Sequence, residues 1–196
     1  LGGSITGDVT NAGMIYWQNL GQTLTINGNY TGAAGNLSLG TDLGDDGSVT
    51  DKLVITGNSS GTTAVTVRPE GTSAGAQTNV GIDVIDVAGT SGGTFTLAAP
   101  VQAGVYEYVL KKGGNGGIAN NWYLVSALCE ITDTCITPTT PTTSTPVDSA
   151  GNVIPIYRPG VANYVVAQTA NADLGYLALD TLHQRMGEQR GVSTAK

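Results

Sequence analysis

Positive charge is scarce in this sequence. Its 196 residues include 8 Lys and Arg against 15 Asp and Glu, which gives a formal net charge of −7. A protein that neutralises nucleic-acid phosphates needs Lys and Arg, so this composition argues against a nucleic-acid partner. The same shortage argues against binding to an anionic membrane surface.

Histidine occurs once, as His183. Two Gly-x-Ser-x-Gly matches, at 71–75 and 89–93, would need a nearby His and acid, and a helix after the serine, to form a nucleophile elbow. Strand-like sequence follows both matches, and His183 is remote from them. A serine hydrolase is therefore not predicted.

Long apolar runs and an N-terminal leader are also missing. No run is long enough to span a membrane as a helix. The sequence starts with Leu1 and has no initiating Met, basic segment or apolar segment of a leader. We therefore expect it to be a segment of a longer polypeptide.

Cysteine is present twice, as Cys129 and Cys135 in a linker-like stretch. The pair predicts either a small disulfide loop formed in an oxidising compartment or two free thiols. A metal site is not predicted, because further ligands are lacking nearby.

Glycine, by contrast, is abundant, with 29 residues. It lacks the three-residue period of collagen and disfavours helix interiors, so it indicates many turns between short strands. In residues 1–40 the apolar runs are only two to five residues long, with Gly, Asn or Thr after each. Short strands with Gly and Asn corners favour an all-β chain that coils as a β-solenoid.

Longer strands are predicted after Asp51, at 53–55, 64–67, 81–87 and 94–97. The apolar alternation slips between Val84 and Ile85, which predicts a β-bulge. Residues 106–110 and 122–125 form the best hairpin candidate, joined by the Gly-rich segment 112–117. We expect this hairpin to cap the coil, because the open end of a solenoid must be covered. The candidate cap and folding-nucleus residues are Phe95, Tyr106, Tyr108, Trp122, Tyr123 and Leu124.

Acidic residues suggest two further sites, and both are weak. Asp42, Asp45, Asp46 and Asp51 cluster, but the spacing does not fit a calcium loop. A solvated turn before a strand is the favoured interpretation. Asp83 and Asp86 would act as a carboxylate pair on a sugar only if the bulge brought them to one face. No catalytic residue, metal site or cofactor is predicted.

The C-terminal part changes character, which gives three predicted regions: 1–128, 129–156 and 157–196. The middle region is a Thr/Pro-rich linker. In the last region, Leu174, Ala178, Leu182 and Met186 follow the spacing of one helix face. This helix packs either on the β-domain or on a partner outside the sequence.

A set of ordered motifs resembles the passenger end of pertactin-like, AIDA-type autotransporters, the type V secretion proteins of Gram-negative bacteria. The motifs lie at 44–46, 50–55, 75–78, 81–87, 93–97, 104–110, 121–126, 157–159, 163–164 and 182–185. The resemblance implies a right-handed parallel β-helix with a β-rich cap, followed by the start of the translocator domain.

In function, the resemblance implies an autochaperone region that is not an enzyme and that nucleates folding of the passenger during export. The implied partners are the protein's own outer-membrane barrel, the upstream coils, the outer-membrane assembly machinery and a host-surface ligand of the upstream passenger. The implied location is the outer membrane or cell surface, with or without release, and the upstream passenger would be a virulence adhesin. The alternative is a β-solenoid that binds or degrades polysaccharides.

Overall fold

The computed structural model describes residues 2–128, 154–161 and 164. The chain divides into two compact units, Leu1–Arg158 and Pro159–Lys196. The predicted C-terminal helix, Cys129 and Cys135 lie outside the described residues. Within the described ranges, no helix has the length and apolar character needed to cross a membrane.

Fourteen strands make up the described part of the first unit. In chain order they are β1 (Gly3–Thr6), β2 (Val9–Asn11), β3 (Met14–Tyr16), β4 (Thr23–Asn27), β5 (Tyr30–Thr41), β6 (Lys52–Ile55), β7 (Ser59–Pro69), β8 (Ile82–Val87), β9 (Thr94–Leu97), β10 (Val101–Ala103), β11 (Tyr106–Lys112), β12 (Trp122–Val125), β13 (Ala127–Leu128) and β14 (Ile154–Pro155).

The strands alternate between two sheets as the chain advances. One sheet has the spatial order β1-β4-β6-β8-β12-β11-β10. The other has the order β2-β5-β7-β9, and β3 also pairs with β5. From β1 to β9 every pairing within these sheets is parallel. The prediction of an all-β chain is confirmed, and the parallel sheets are consistent with a β-helix.

Aliphatic side chains repeat at equivalent positions of successive coils. In the first sheet Ile5 pairs with Ile26, Ile26 with Ile55, and Ile55 with Val87. In the second sheet Ile15, Leu37, Val65 and Leu97 form the equivalent ladder. Ile26, Ile55, Leu37 and Val65 are fully buried. Stacking of like residues therefore builds one continuous core along the coil.

Two strands are longer than the sequence predicts. β5 has 12 residues and β7 has 11, although Gly32 and Gly35 interrupt the apolar pattern of β5. A side chain at Gly32 would meet the backbone of Thr62, and one at Gly35 would meet Asn11. These glycines permit close approach of neighbouring coils inside a strand, so their interpretation as corners between short strands was wrong.

A Gly-Asx repeat turns the chain from the first sheet to the second. The Asp8 carboxylate accepts a hydrogen bond from the Asn29 N–H at 2.7 Å. The Asn29 side-chain oxygen accepts one from the Asn58 N–H at 2.9 Å, and the Asn58 oxygen accepts one from the Thr90 N–H at 2.8 Å. The bonds to Asn29 lower the pKa of Asp8. Each coil thus satisfies a turn donor of the next coil.

The glycine before each turn residue allows these turns to stack. A Cβ at Gly28 would strike the Gly7 backbone, one at Gly57 would meet the Gly28 backbone, and one at Gly89 would meet the Gly57 backbone. The repeat is visible in the sequence as Gly-Asp at 7–8, Gly-Asn at 28–29 and 57–58, and Gly-Thr at 89–90, at unequal spacing.

Candidate functional site

The β10–β11–β12 segment closes the end of the coil, and we call it the cap. β12 pairs antiparallel with β8, β11 antiparallel with β12, and β10 antiparallel with β11. The predicted hairpin between 106–110 and 122–125 is confirmed. Because its strands run against the parallel coils, another parallel coil cannot simply continue from this end.

An aromatic column joins the cap to the inner coils. The Phe95 ring stacks on Tyr30 with centroids 5.9 Å apart, and Trp122 meets the other side of Phe95 edge-on at 5.3 Å. Phe95 is 3% exposed. Trp122 lies opposite Ile85, and its indole N–H donates to the Ser91 hydroxyl at 3.3 Å. The three rings thus form continuous packing that extends from the cap to an inner coil, in the direction of the open end.

Tyr30, which the sequence did not single out, is fully buried at the inner end of this column. Its hydroxyl contacts the Thr63 hydroxyl at 2.9 Å and accepts a hydrogen bond from the Asn11 amide at 3.0 Å. The phenol group is therefore satisfied inside the core, and it links three coils through side chains of β2, β5 and β7.

Tyr108 is fully buried and fixes the loops of the last coils. Its hydroxyl accepts a hydrogen bond from the Ala76 N–H at 3.0 Å. Its own proton faces the carbonyl oxygens of Ala76 and Gly44, each at 2.9 Å. Burial raises the pKa of Tyr108, while the bond to Ala76 opposes the rise. The phenol stays protonated and serves as a structural donor.

Tyr123 and Leu124 lie on opposite faces of β12. Leu124 is fully buried and belongs to the main core, whereas Tyr123 is buried outside that core cluster. The Tyr123 hydroxyl accepts a hydrogen bond from the Ile118 N–H at 3.0 Å. A Cβ at Gly117 would lie 2.7 Å from the Tyr123 ring, and one at Gly114 would lie 3.0 Å from it. The Gly-rich loop of the hairpin therefore closes directly over this ring.

Tyr106 stands apart from the other candidates. It packs half-buried at the edge of the core, and its ring lies 5.9 Å from that of Tyr157. The structure thus brings Phe95 and Trp122 into direct contact and places Tyr108, Tyr123, Leu124 and Tyr106 at other positions of the cap.

The acidic turn is an anchor, and the interpretation as a solvated turn was wrong for two of its residues. The Asp46 carboxylate accepts hydrogen bonds from three consecutive N–H groups, those of residues 79–81, at 2.9 to 3.0 Å. Asp51 is fully buried and accepts from the Gly40 N–H at 2.7 Å and the Gln22 N–H at 3.0 Å. These carboxylates serve as backbone acceptors and tie loops of neighbouring coils together.

The loop before β8 is held by a reciprocal pair. The Thr78 N–H donates to the Ser126 hydroxyl, and the Ser126 N–H donates to the Thr78 hydroxyl, both at 2.8 Å. The Ser126 hydroxyl donates in turn to the Ala76 carbonyl at 2.8 Å. A Cβ at Gly75 would strike the Ala103 carbonyl, so only glycine fits beside β10. In the sequence, the only indication of the contacts of Gly75 and Thr78 is the family motif at 75–78.

The bulge in β8 does bring the two carboxylates together. Trp122 pairs with Ile85 and Tyr123 with Asp83, so Val84 is the extra residue, and both Val84 and Ile85 are buried. The Lys52 ammonium lies 3.0 Å from Asp83 and 3.5 Å from Asp86. The predicted bulge is confirmed.

The carboxylate pair is bound by protein groups on the cap side. The Asn121 amide donates to Asp86 at 2.6 Å, and the Asn121 oxygen accepts from the Val87 N–H at 3.1 Å. Burial and the hydrogen bond with Asp86 raise the pKa of Asp83 to about 6, against the lowering effect of Lys52. Burial alone would lower the pKa of Lys52, but Asp83 and Asp86 raise it. Lys52 and Asn121 bind both oxygens of Asp86 and one oxygen of Asp83, whereas the other Asp83 oxygen is buried away from solvent, so the pair is not open to a sugar substrate.

The serines of the two Gly-x-Ser-x-Gly matches, Ser73 and Ser91, each form a hydrogen bond with another side chain of the protein. The Ser73 N–H donates to Asp42 at 2.8 Å, and the Ser91 hydroxyl accepts from Trp122. β8 follows the first Gly-x-Ser-x-Gly match and β9 follows the second, where a nucleophile elbow needs a helix. Among residues 2–128 and the few described after 154, no three His, Cys, Asp or Glu side chains group as metal ligands.

Comparison with known proteins identifies the family. The sequence model of the family described as autochaperone domain type 1 matches residues 4–110. This chain belongs to that family. The match covers every coil from β1 to β9 and continues into β11, so the autochaperone domain includes most of the aromatic column and part of the cap.

Individual relatives agree with this assignment. The chain is 43% identical over 190 residues to the adhesin BmaC autotransporter of Brucella suis biovar 1 (strain 1330), covering 92% of the chain and 5% of the relative. It is 45% identical over 113 residues to the autotransporter adhesin AIDA-I of Escherichia coli, covering 57% of the chain and 9% of the relative. The probable autotransporter YfaL of E. coli K12 is 39% identical over 133 residues, covering 63% and 10%.

The chain therefore spans 10% or less of the length of these three relatives. The resemblance to AIDA-type autotransporters with an autochaperone region is confirmed. The polysaccharide alternative is not favoured by the family.

Proposed function

We propose that this autochaperone domain is the part of an autotransporter passenger that folds first and on which upstream coils of a right-handed β-helix then assemble. It acts without enzymatic chemistry, at the outer membrane or cell surface of a Gram-negative bacterium. The passenger upstream of it is an adhesin, as BmaC and AIDA-I are named. Its partners are the upstream coils, the protein's own barrel, the outer-membrane assembly machinery and the host ligand of the adhesin.

The observation that carries this proposal is the difference between the two ends of the coil. At the cap, Leu124 and Tyr108 are fully buried. At the other end, Ile5 of β1 is 41% exposed, although it belongs to the same ladder as the fully buried Ile26 and Ile55. Ile5 lacks a neighbour only on its outer side, and an upstream coil would supply one.

Solenoid physics gives the order of assembly. A coil gains most of its stability from the neighbour on which it stacks, so the first coil to fold needs another source. The cap supplies one through antiparallel pairing, the aromatic column and the anchors at Asp46 and Ser126. The first coil, from β1 to β3, contributes no side chain to the column and neither anchor, so it depends on the coil below it.

The direction in which the coils assemble follows from the direction of export. A passenger that crosses the outer membrane with its C-terminal end first presents the cap before the other coils. Folding outside then opposes return of the chain, since each added coil buries further apolar ladder positions. No nucleotide energy source is needed for this step.

The experiment compares two tryptophans at opposite ends of the coil. Trp122 lies in the cap, and Trp17 is buried in the first coil. Trp17→Ala should lower the free energy of unfolding by about 3 to 5 kcal/mol, and Trp122→Ala should lower it by less, because the Trp122 side chain is only partly buried. Trp122→Ala should slow refolding and reduce surface display of the whole autotransporter, whereas Trp17→Ala should mainly speed unfolding and leave display closer to wild type. Unchanged display and unchanged refolding rate in Trp122→Ala would refute the proposal.

A further inference from the structure

Residues 154–158 lie on the cap, although they follow the Thr/Pro-rich stretch. β14 pairs antiparallel with β13, with Ala127 opposite Pro155 and Leu128 opposite Ile154. Leu128 and Ile154, the described residues on either side of 129–153, are thus neighbours in one small sheet. The predicted boundary between linker and helical region, at 156 and 157, falls inside a segment that is hydrogen-bonded to the cap.

The backbone of Ile156 is hydrogen-bonded to β11 and to the residue that follows β12. Its N–H donates to the carbonyl of Ser126 at 2.7 Å. Its carbonyl accepts a hydrogen bond from the N–H of Glu107 at 2.9 Å. Two residues later, the N–H of Arg158 donates to the carbonyl of Val105 at 3.0 Å. The segment therefore satisfies backbone groups of two chain stretches at once, as an added β-strand does.

Side chains add a second attachment on the same side. Tyr157 forms an antiparallel bridge with Tyr106, and the two rings lie 5.9 Å apart at an angle of 31°. Tyr157 is 51% exposed, so this contact lies at the surface. Ser126, whose carbonyl binds Ile156, is held in place because its hydroxyl and its N–H are both hydrogen-bonded to Thr78. The edge is thus pre-ordered before the segment arrives, which lowers the cost of binding it.

We propose that the cap carries a strand-binding site, formed by 105–107 and 126–128, whose occupant is the chain's own segment 154–158. The binding is a property of these residues and does not depend on the covalent connection through 129–153. The recognition is β-strand addition, in which main-chain hydrogen bonds give affinity and the Tyr106–Tyr157 contact gives selectivity. This site goes beyond the proposed nucleation of folding, since it joins the cap to the chain that follows it.

The test cuts the folded chain between the two partners. A recognition sequence for a specific protease is inserted between Thr140 and Pro141 of the full chain, and the purified protein is cleaved after folding. Sedimentation velocity then reports whether the two fragments remain one species. A synthetic peptide with the sequence of residues 154–160 is added in excess as a competitor. Secretion is not involved, so failure of this test is distinct from failure of the folding proposal.

The cleaved wild-type fragments should sediment together, and the peptide should displace the C-terminal fragment. Ile156→Pro removes the N–H that binds Ser126 and should weaken association at least about tenfold. Ile156→Ala keeps that N–H and is the matched control, expected to stay associated. Circular dichroism of the uncut variants checks that the coil remains folded. Separation of the wild-type fragments, or equal association of Ile156→Pro and wild type, would overturn the proposal.

Discussion

Replacement of Phe95 by Ala should lower the free energy of unfolding at the cap end of the coil more than replacement of an exposed residue does. Phe95 is 3% exposed and lies between Tyr30 and Trp122. Truncation of a buried Phe costs about 3 to 5 kcal/mol, because transfer free energy is lost and a cavity remains. Loss of the two ring contacts accounts for about 0.5 to 1.5 kcal/mol each within that total. Phe95→Leu keeps most of the apolar volume and should cost only about 1 to 2 kcal/mol.

The two tryptophans allow each end of the coil to be followed separately. Trp122 touches Phe95, whereas Trp17 lies in the first coil. Guanidinium unfolding is followed by fluorescence in a Trp17→Phe background, which reports the cap alone. Tyr16→Ala is the control, since Tyr16 is 58% exposed and should change stability by less than about 0.5 kcal/mol. If Phe95→Ala shifted the cap transition no more than Tyr16→Ala, the aromatic column would not stabilise the cap.

Three further predictions concern polar and backbone contacts. The pKa of Asp83 is raised to about 6, so its stabilising contribution is present below its ordinary pKa and is lost as pH rises through about 6. The free energy of unfolding of wild type relative to Asp83→Asn, from urea titrations, should therefore fall between pH 4 and pH 7, and a constant difference would contradict this. Asp46→Ala leaves three N–H groups without their acceptor and should cost about 2 to 3 kcal/mol in urea unfolding, whereas Asp45→Ala should cost far less because Asp45 is exposed and accepts one such bond; equal losses would refute the anchor. Gly75→Ala should lower the free energy of unfolding by at least about 2 kcal/mol, since Gly75 has a φ of +87° and no room for a Cβ, while Gly13→Ala should be nearly neutral because its Cβ would meet open space. Similar melting temperatures for the two glycine variants would count against this account.

The sequence predicts local features of this fold well. Alternation in 94–97 and 122–125 identifies strands because side chains on one face of a strand repeat with period two. The slip at Val84 and Ile85 locates the bulge, and the Gly-rich 112–117 segment locates the hairpin loop. The ordered motifs identify the family, because together they follow the order of the autochaperone domain that matches residues 4–110.

Features that depend on contacts between coils could not be predicted. Tyr30 and Phe95 are distant in sequence, and only the stacking of β5, β7 and β9 brings their rings together. Asp46 resembles any turn residue until residues 79–81 are placed beside it. The Gly-Asx repeat was accessible, since Gly28-Asn29 and Gly57-Asn58 occupy the same place in successive coils, but unequal coil lengths conceal it.

The most direct measurement of the central claim is the order in which the strands become protected during refolding. Pulsed hydrogen exchange with mass spectrometry resolves this order for segments of the coil. Amides of β8, β11 and β12 should be protected first, those of β6 and β7 next, and those of β1 and β2 last. Protection of β1 and β2 before the cap, or protection of all strands at one rate, would contradict a coil that grows from its cap.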